Sequence, residues 1–259
     1  MTSHPTRRVA IWTHQRTTST ALLQCFAGRE NIKTFMEPYA VPFIEEWKHC
    51  LEDNPTYVNS RYKEVKTMLE SDYPGSTLIV FKDMADFIVG RYDKIPEGYT
   101  HTFLIREPTQ SISSFWRATI NTGRTSFPRR YSYGSIKPVL DLYDYFAKQN
   151  QPCIIIDAHD LSHFPEIVLK QFCQKIGVTF SDDMLRWKSQ NIGDWDPFLK
   201  YRKECNIWFG SALESTSFHP LPTKDTPIDL SVIPEKYISA LEESKPIYDV
   251  LFAKRIKPF

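Results

Sequence analysis

Four short runs of apolar and β-branched residues set the terms for this chain: VAIWT at 9–13, STLIVF at 76–81, THTFLI at 100–105 and CIIID at 153–157. A weaker fifth is IKTFM at 32–36. Each run is nearly continuous rather than alternating, which is what strands buried on both faces of a parallel sheet require. Helix-like segments fill the intervals, from Thr18 to Ala27, Val41 to Leu51, Asn59 to Leu69, Thr109 to Asn121, Ser135 to Gln149 and Phe164 to Ile176. Thr109 follows Pro108 and precedes the apolar spacing Ile112, Phe115, Trp116, while Gly177 stands where a helix C-cap belongs. The repeated strand–helix order predicts an α/β three-layer sandwich, with a central, mostly parallel sheet flanked by helices. Beyond about residue 185 the pattern becomes aromatic-rich and mostly helical. A proline-marked stretch, FHPLPTKDTP at 218–227, precedes a last helix at about 234–252. No internal repeat or low-complexity segment interrupts the chain.

The charges nearly cancel, 32 basic against 31 acidic in 259 residues. No global field points to nucleic acid or an anionic membrane, so any anion site must be local, and each placed arginine gains weight. Five cysteines without a CxxC pair fit reduced thiols in a cytosol-like compartment. The N-terminus MTSHPTRR is polar, and no run of 18 apolar residues occurs. The expectation is a cytoplasmic protein with no membrane or nucleic-acid partner; its oligomeric state is not encoded in any feature of the sequence.

Between the first strand and the first helix lies THQRTTST, residues 13–20. In an open α/β sheet ligands bind beyond the carboxyl ends of the strands, and the helix after the first strand offers backbone N–H groups to an anion. Thr17, Thr18, Ser19 and Thr20 add hydroxyl donors, and Arg16 adds a charged fork suited to phosphate or sulfonate. GxxxxGK[ST] and GxGxxG are both absent, which disfavours an ordinary nucleoside triphosphate or dinucleotide loop. The same hydroxyls are equally consistent with helix capping alone. A second stretch, FLIREPTQSISSFWR, ends a strand at Arg106 and carries Ser114 two turns into the next helix. Both could reach one phosphate beside the sheet, although Arg106 could also simply pair with Glu107.

Taken together, these two stretches resemble the sulfotransferase superfamily that uses 3′-phosphoadenosine 5′-phosphosulfate (PAPS). That family carries a first-strand loop TxPRSxST for the 5′-phosphosulfate and an Arg-x7-Ser pair for the 3′-phosphate, matched here by THQRTTST and by Arg106 with Ser114. Gln15 departs from the usual proline and should alter the angle at which the chain enters the loop. Lys82-Asp83 in STLIVFKDMA resembles the NKDP segment of tyrosylprotein sulfotransferases, and FPEIVLKQFCQKIGVTFSDDML resembles the family's late helix. The resemblance covers residues 8–187 and is loose thereafter. It implies one domain over 1–259, with a nucleotide-binding core at 1–187 and a helical part at 188–259 closing the site.

The resemblance also implies roles. Sulfonate would pass from PAPS to a hydroxyl or amine of a small acceptor, leaving 3′,5′-adenosine bisphosphate (PAP), with no metal required. Arg16 would serve the leaving oxygen, with Thr17, Thr18, Ser19 and Thr20 as phosphate ligands, and Lys82 could join it. Lys82 could instead be tied to Asp83 or Asp86. Glu37, in TFMEPYAVPF at the end of the second strand, is the expected general base. With that strand beside the first, it would project over the same carboxyl edge as Arg16. A helix-capping carboxylate is its alternative role, and His14 is the second candidate base.

Other features carry less. His159, Asp160 and His163 look like a turn rather than a metal site. SQNIGDWDPF at 189–198 resembles the family's RKGxxGDW closing segment without its basic pair, although Arg186 and Lys188 lie upstream. Arg124, Arg129 and Arg130 sit in a loop after the Ser114 helix. Trp47, Trp116, Trp187, Trp195 and Trp208 fit a core, and Phe35, Tyr39, Phe43 and Phe87 fit either a core or an acceptor pocket. Two rival functions share the sheet and loop: a P-loop kinase or nucleotide hydrolase, which would depend on magnesium, and a non-catalytic nucleotide-binding module.

Overall fold

The computed structural model describes residues 5–48, 55–123, 132–189, 202–222 and 228–259. Its centre is a five-stranded sheet of β1 (Arg7–Thr13), β2 (Ile32–Met36), β3 (Leu78–Met84), β4 (Thr100–Ile105) and β5 (Cys153–Asp157), in the order β2-β3-β1-β4-β5. Every pairing is parallel. The five apolar runs are therefore the five strands. Their continuity has the expected cause: Val9 and Ile11 face one buried core while Ala10 and Trp12 face another.

On the first face pack α1 (Ser19–Gln24), α6 (Ala158–His163) and α7 (Pro165–Ile176). The second face takes α2 (Ala40–Lys48), α3 (Pro55–Glu70) and α5 (Lys137–Ala147). The helix α4 (Pro108–Thr122) and the C-terminal α9 (Glu235–Ala253) share a third cluster around Ile112, Phe115, Tyr237 and Leu241. Lastly, α8 (Arg202–Glu214) touches α1 and α4 over the carboxyl edge of the sheet.

Three expectations need correction. β2 does not lie beside β1, because β3 is inserted between them. β3 begins later and runs further than STLIVF, so Lys82 and Asp83 are strand residues paired with Ile11 and Trp12. The HDLSH turn is a short helix, because the Asp157 carboxylate accepts hydrogen bonds from the amides of His159 and Asp160 and so caps it. Gly177 does close α7, with φ 66°. Cys25, Cys153 and Cys173 are unpaired, and no helix among the described residues is long and apolar enough to cross a membrane.

Candidate functional site

Where β1 ends, the chain turns into α1 without a glycine, and two side-chain-bearing residues take the left-handed conformation: Arg16 at φ 64° and Thr18 at φ 63°. Such positions are disfavoured and persist only where the surroundings hold them. Here the holding contacts are visible. Thr13 and Thr17 both donate to the His14 carbonyl, at 3.0 and 3.3 Å, and the Arg106 guanidinium donates to the Arg16 carbonyl at 2.7 Å. Gln15, where the family has proline, donates from Nε2 to Asp86 at 2.9 Å and ties the loop to the turn after β3.

The loop forms the floor of a cavity of about 450 Å³. Arg16, Thr17, Thr18, Ser19, Thr20, Glu37, Lys82, Arg106 and Ser114 all line it, so the fold gathers nearly every residue singled out from the sequence. Arg16 donates from Nε to Ser114 Oγ at 3.1 Å and from a second nitrogen to the Trp208 carbonyl of α8. Arg106 does not pair with Glu107, whose carboxylate instead caps α4 by accepting from Thr109 and Gln110. Arg117 also lines the cavity. It lies one turn beyond Ser114 on the same helix face, a relation that i, i+3 spacing could have revealed. Burial, and then the charge of Arg117, lowers the Arg16 pKa, while burial and then Arg16 bring Arg106 down to about 10. Among the described residues no carboxylate forms an ion pair with any of the three arginines. Three cations without an acidic partner are an arrangement suited to a multiply charged anion.

Across the sheet from them, Glu37 and Lys82 form a closed ion pair, with side chains 3% and 0% exposed. Glu37 is itself left-handed, at φ 46°, and its amide donates to the Lys82 carbonyl at 2.7 Å. Lys82 is thus tied neither to Asp83 nor to Asp86. Asp83 fixes the same turn from below, accepting from the Tyr39 amide at 2.7 Å and the Met84 amide at 2.9 Å. Burial first, and then the Glu37 charge, push its carboxyl pKa well up.

His14 is not among the cavity-lining residues. Its Nε2 accepts the Arg106 amide at 3.1 Å, and burial, with a smaller contribution from Arg106, brings its pKa down to about 3. The neutral imidazole supports the backbone at the end of β4. Phe43 and Phe87 reach the cavity, while Phe35 and Tyr39 are buried in the second core. Trp208, Phe209, Phe218 and His219 line it as well, and no pattern in the C-terminal sequence announced them. The strap that brings Phe218 and His219 is held by a Trp187 amide bond to the Thr216 carbonyl, 2.9 Å, and by Trp187 packed edge-on against Phe218. Arg124, Arg129, Arg130, Trp195 and the stretch 190–198 lie outside the described residues, as does the side chain of Trp47.

Asp157, His159 and Asp160 place ligand atoms within 4.8 Å of one another. Their oxygens are already engaged: Asp157 by the two capping amides and by the Tyr248 hydroxyl at 2.9 Å, Asp160 by Arg255 at 2.6 Å. The cluster therefore reads as a hydrogen-bonded anchor between β5 and the C-terminal segment.

Fold and site define a parallel-sheet α/β protein with a cavity at the carboxyl edge, cationic on one side and largely apolar elsewhere. A profile of the family described as Sulfotransferase domain matches residues 7–223, and the chain belongs to that family. Among solved structures, the Sulfotransferase Domain from the Curacin Biosynthetic Pathway superimposes with a TM-score of 0.50 at 16% identity, over 93% of this chain and 98% of that one, which supports the fold. Two curated relatives are from Arabidopsis thaliana. Branched-chain-amino-acid aminotransferase-like protein 2 is 25% identical over 94% of this chain and 41% of its own length, and protein 1 is 23% identical over 93% and 40%. The chain thus spans about two fifths of the relatives' length, and their name is a property of those proteins.

Proposed function

We propose that the protein transfers a sulfonate group from PAPS to a hydroxyl of a small acceptor. The observation that carries this reading is one cavity holding two opposed chemistries: three arginines and a row of hydroxyls on one side, and a buried Glu37–Lys82 pair on the other. Residues 1–259 act as one unit in this reading, with 1–187 supplying the nucleotide site and 188–259 closing it.

The 5′-phosphosulfate would lie on the 16–20 loop, with the 3′-phosphate of the same nucleotide against Arg106 and Ser114. The acceptor oxygen bonds to sulfur as the sulfur–oxygen bond to the 5′-phosphate breaks, and PAP departs with the electron pair of that bond. Arg16 and Lys82 neutralise the charge that builds on the departing oxygen. The acceptor's proton passes to Glu37, already seated against Lys82 and on the cavity wall. A neutral His14 shielded behind the Arg106 amide is poorly placed to compete for that proton.

Calorimetry tests the nucleotide half. PAP should bind far better than AMP, and Arg106→Ala should erase most of that preference, since losing a charged contact to phosphate is worth about 2–3 kcal/mol. Equal affinity for the two nucleotides in the wild type overturns the donor assignment. Activity should survive EDTA; complete loss with rescue by magnesium favours the kinase reading instead.

A further inference from the structure

The two sides of the cavity differ in more than charge. Arg106, Ser114 and Arg117 come from β4 and α4, on one flank of β1. Glu37 and Lys82 come from β2 and β3, on the other flank. On that second flank hydrocarbon side chains line the cavity: Phe43 and Ile44 from α2, Met84 at the end of β3, Phe87 in the turn after it, and Phe209 from α8, while Ser211, Ser215 and Ser217 line it from α8 and the strap. The Phe43 and Phe87 rings lie 4.7 Å apart at 35° and make one continuous apolar wall. Phe209 lines the same cavity, with its ring 5.6 Å from Lys82 Nζ. Among the described residues that line the cavity on this flank, Glu37 and Lys82 are the formally charged ones; Asp83 and Asp86 are buried behind the wall, and His219 stands on the exposed strap.

Resting on the sulfonate-transfer reading, we infer that the acceptor is an uncharged compound with a hydrocarbon body and a hydroxyl at one end. The body would lie along Phe43, Ile44 and Phe87, and the hydroxyl would reach Glu37. The chemistry of that apolar wall disfavours the alternatives. A sugar brings several hydroxyls, and a peptide its amides, against Phe43, Ile44, Met84 and Phe87, side chains that offer them no partners, and unpaired polar groups are costly once water is displaced. A hydrocarbon body gains free energy over the same surface.

The test uses the full chain saturated with PAP, so that acceptor binding is read without turnover. Two probes, 1-naphthol and 1-octanol, are titrated by calorimetry against N-acetylglucosamine and a short tyrosine-containing peptide. Separately, PAP release is followed with PAPS and each probe. At least one hydrocarbon alcohol should bind tenfold or more tighter than the sugar and the peptide, and be turned over. Ile44→Lys, on a half-buried wall position, should weaken that probe tenfold or more with PAP affinity unchanged; Phe87→Ser is the second variant if Ile44→Lys does not fold. PAP binding with preferential binding or turnover of the sugar or peptide overturns the acceptor class and leaves the transfer reading standing. PAP binding with no detectable binding of either hydrocarbon alcohol also overturns it. Failure to bind PAP at all removes the reading on which it rests.

Discussion

Replacing Lys82 by Met removes the cation from an ion pair that sits almost wholly out of water, with Lys82 0% and Glu37 3% exposed. The Glu37 carboxylate then stays buried without its counter-charge. Breaking a buried pair from one side typically costs about 3–5 kcal/mol. For a domain of this size each kcal/mol lowers the melting temperature by about 2–4 °C, so Lys82→Met should melt roughly 6–20 °C below the wild type. Glu37→Gln should sit toward the mild end, because the amide oxygen can still accept from Lys82. The double variant should recover part of the loss, since neither charge is then buried without its partner. Thermal melts and urea titrations of the four proteins give this cycle. Turnover gives an independent reading: Glu37→Gln should lose roughly 10²- to 10⁴-fold with PAP affinity nearly unchanged, and the stabilised double variant should remain inactive. A Lys82→Met protein that melts with the wild type refutes the closed pair. Wild-type turnover by Glu37→Gln refutes Glu37 as base while leaving the pair intact.

Two further outcomes follow from the charges. Arg117→Ala should weaken PAP several-fold and reduce the salt dependence of binding, because an exposed arginine contributes a screened contact rather than a buried one; unchanged affinity in low salt would leave Arg117 outside the anion site. His101, buried against Phe146 and accepting Trp12 Nε1 at 3.1 Å, has its pKa brought down by burial to about 3. The unfolded chain takes up this proton near pH 6.5 and the folded chain only near pH 3, so the stability it contributes is full above pH 6.5 and lost as pH falls toward 3. The gap in unfolding free energy between wild type and His101→Gln should therefore narrow from pH 7 to pH 4, and a constant gap would refute the buried neutral imidazole.

The strands, and the residues that meet on the arginine side of the cavity, were legible because their signals are local. Five apolar runs announce five strands, and THQRTTST and Arg106 with Ser114 are each contained in one strand–helix junction. Strand order was not legible, since nothing within β2 or β3 states which of them meets β1; that is decided by how the crossover helices pack. One pairing could have been read further. Neighbouring residues in a strand point to opposite faces, so Lys82 and Asp83 could not partner one another once both were in β3. Asp83 turns to the Tyr39 and Met84 amides, and Lys82 is left for Glu37. The roof was hidden for another reason. Trp208 meets Arg16 across 192 residues and Phe209 meets Lys82 across about half the chain, in a region where the strand–helix alternation has ceased.

The glycine-free loop makes a last, sharper test. Thr18 carries a β-branched side chain at φ 63°, a conformation that costs such a residue about 1–2 kcal/mol and costs glycine almost nothing. Thr20, two residues on, is an ordinary member of α1, where glycine is worse than a typical residue by a few tenths of a kcal/mol or more. Thr18→Gly should therefore be neutral or stabilising, the relieved strain offsetting the added freedom of the unfolded chain, while Thr20→Gly should lower stability. The loop contacts made by Thr13, Gln15, Thr17 and Arg106 are untouched by either change. What Thr18→Gly should lose is nucleotide affinity, as a side chain on the cavity wall disappears and the loop is held less firmly. Chemical denaturation paired with PAP titration separates the two effects. If Thr18→Gly is the more destabilising of the two, the left-handed geometry at Thr18 does not store strain, and the account of this loop as a turn held by its side chains is wrong.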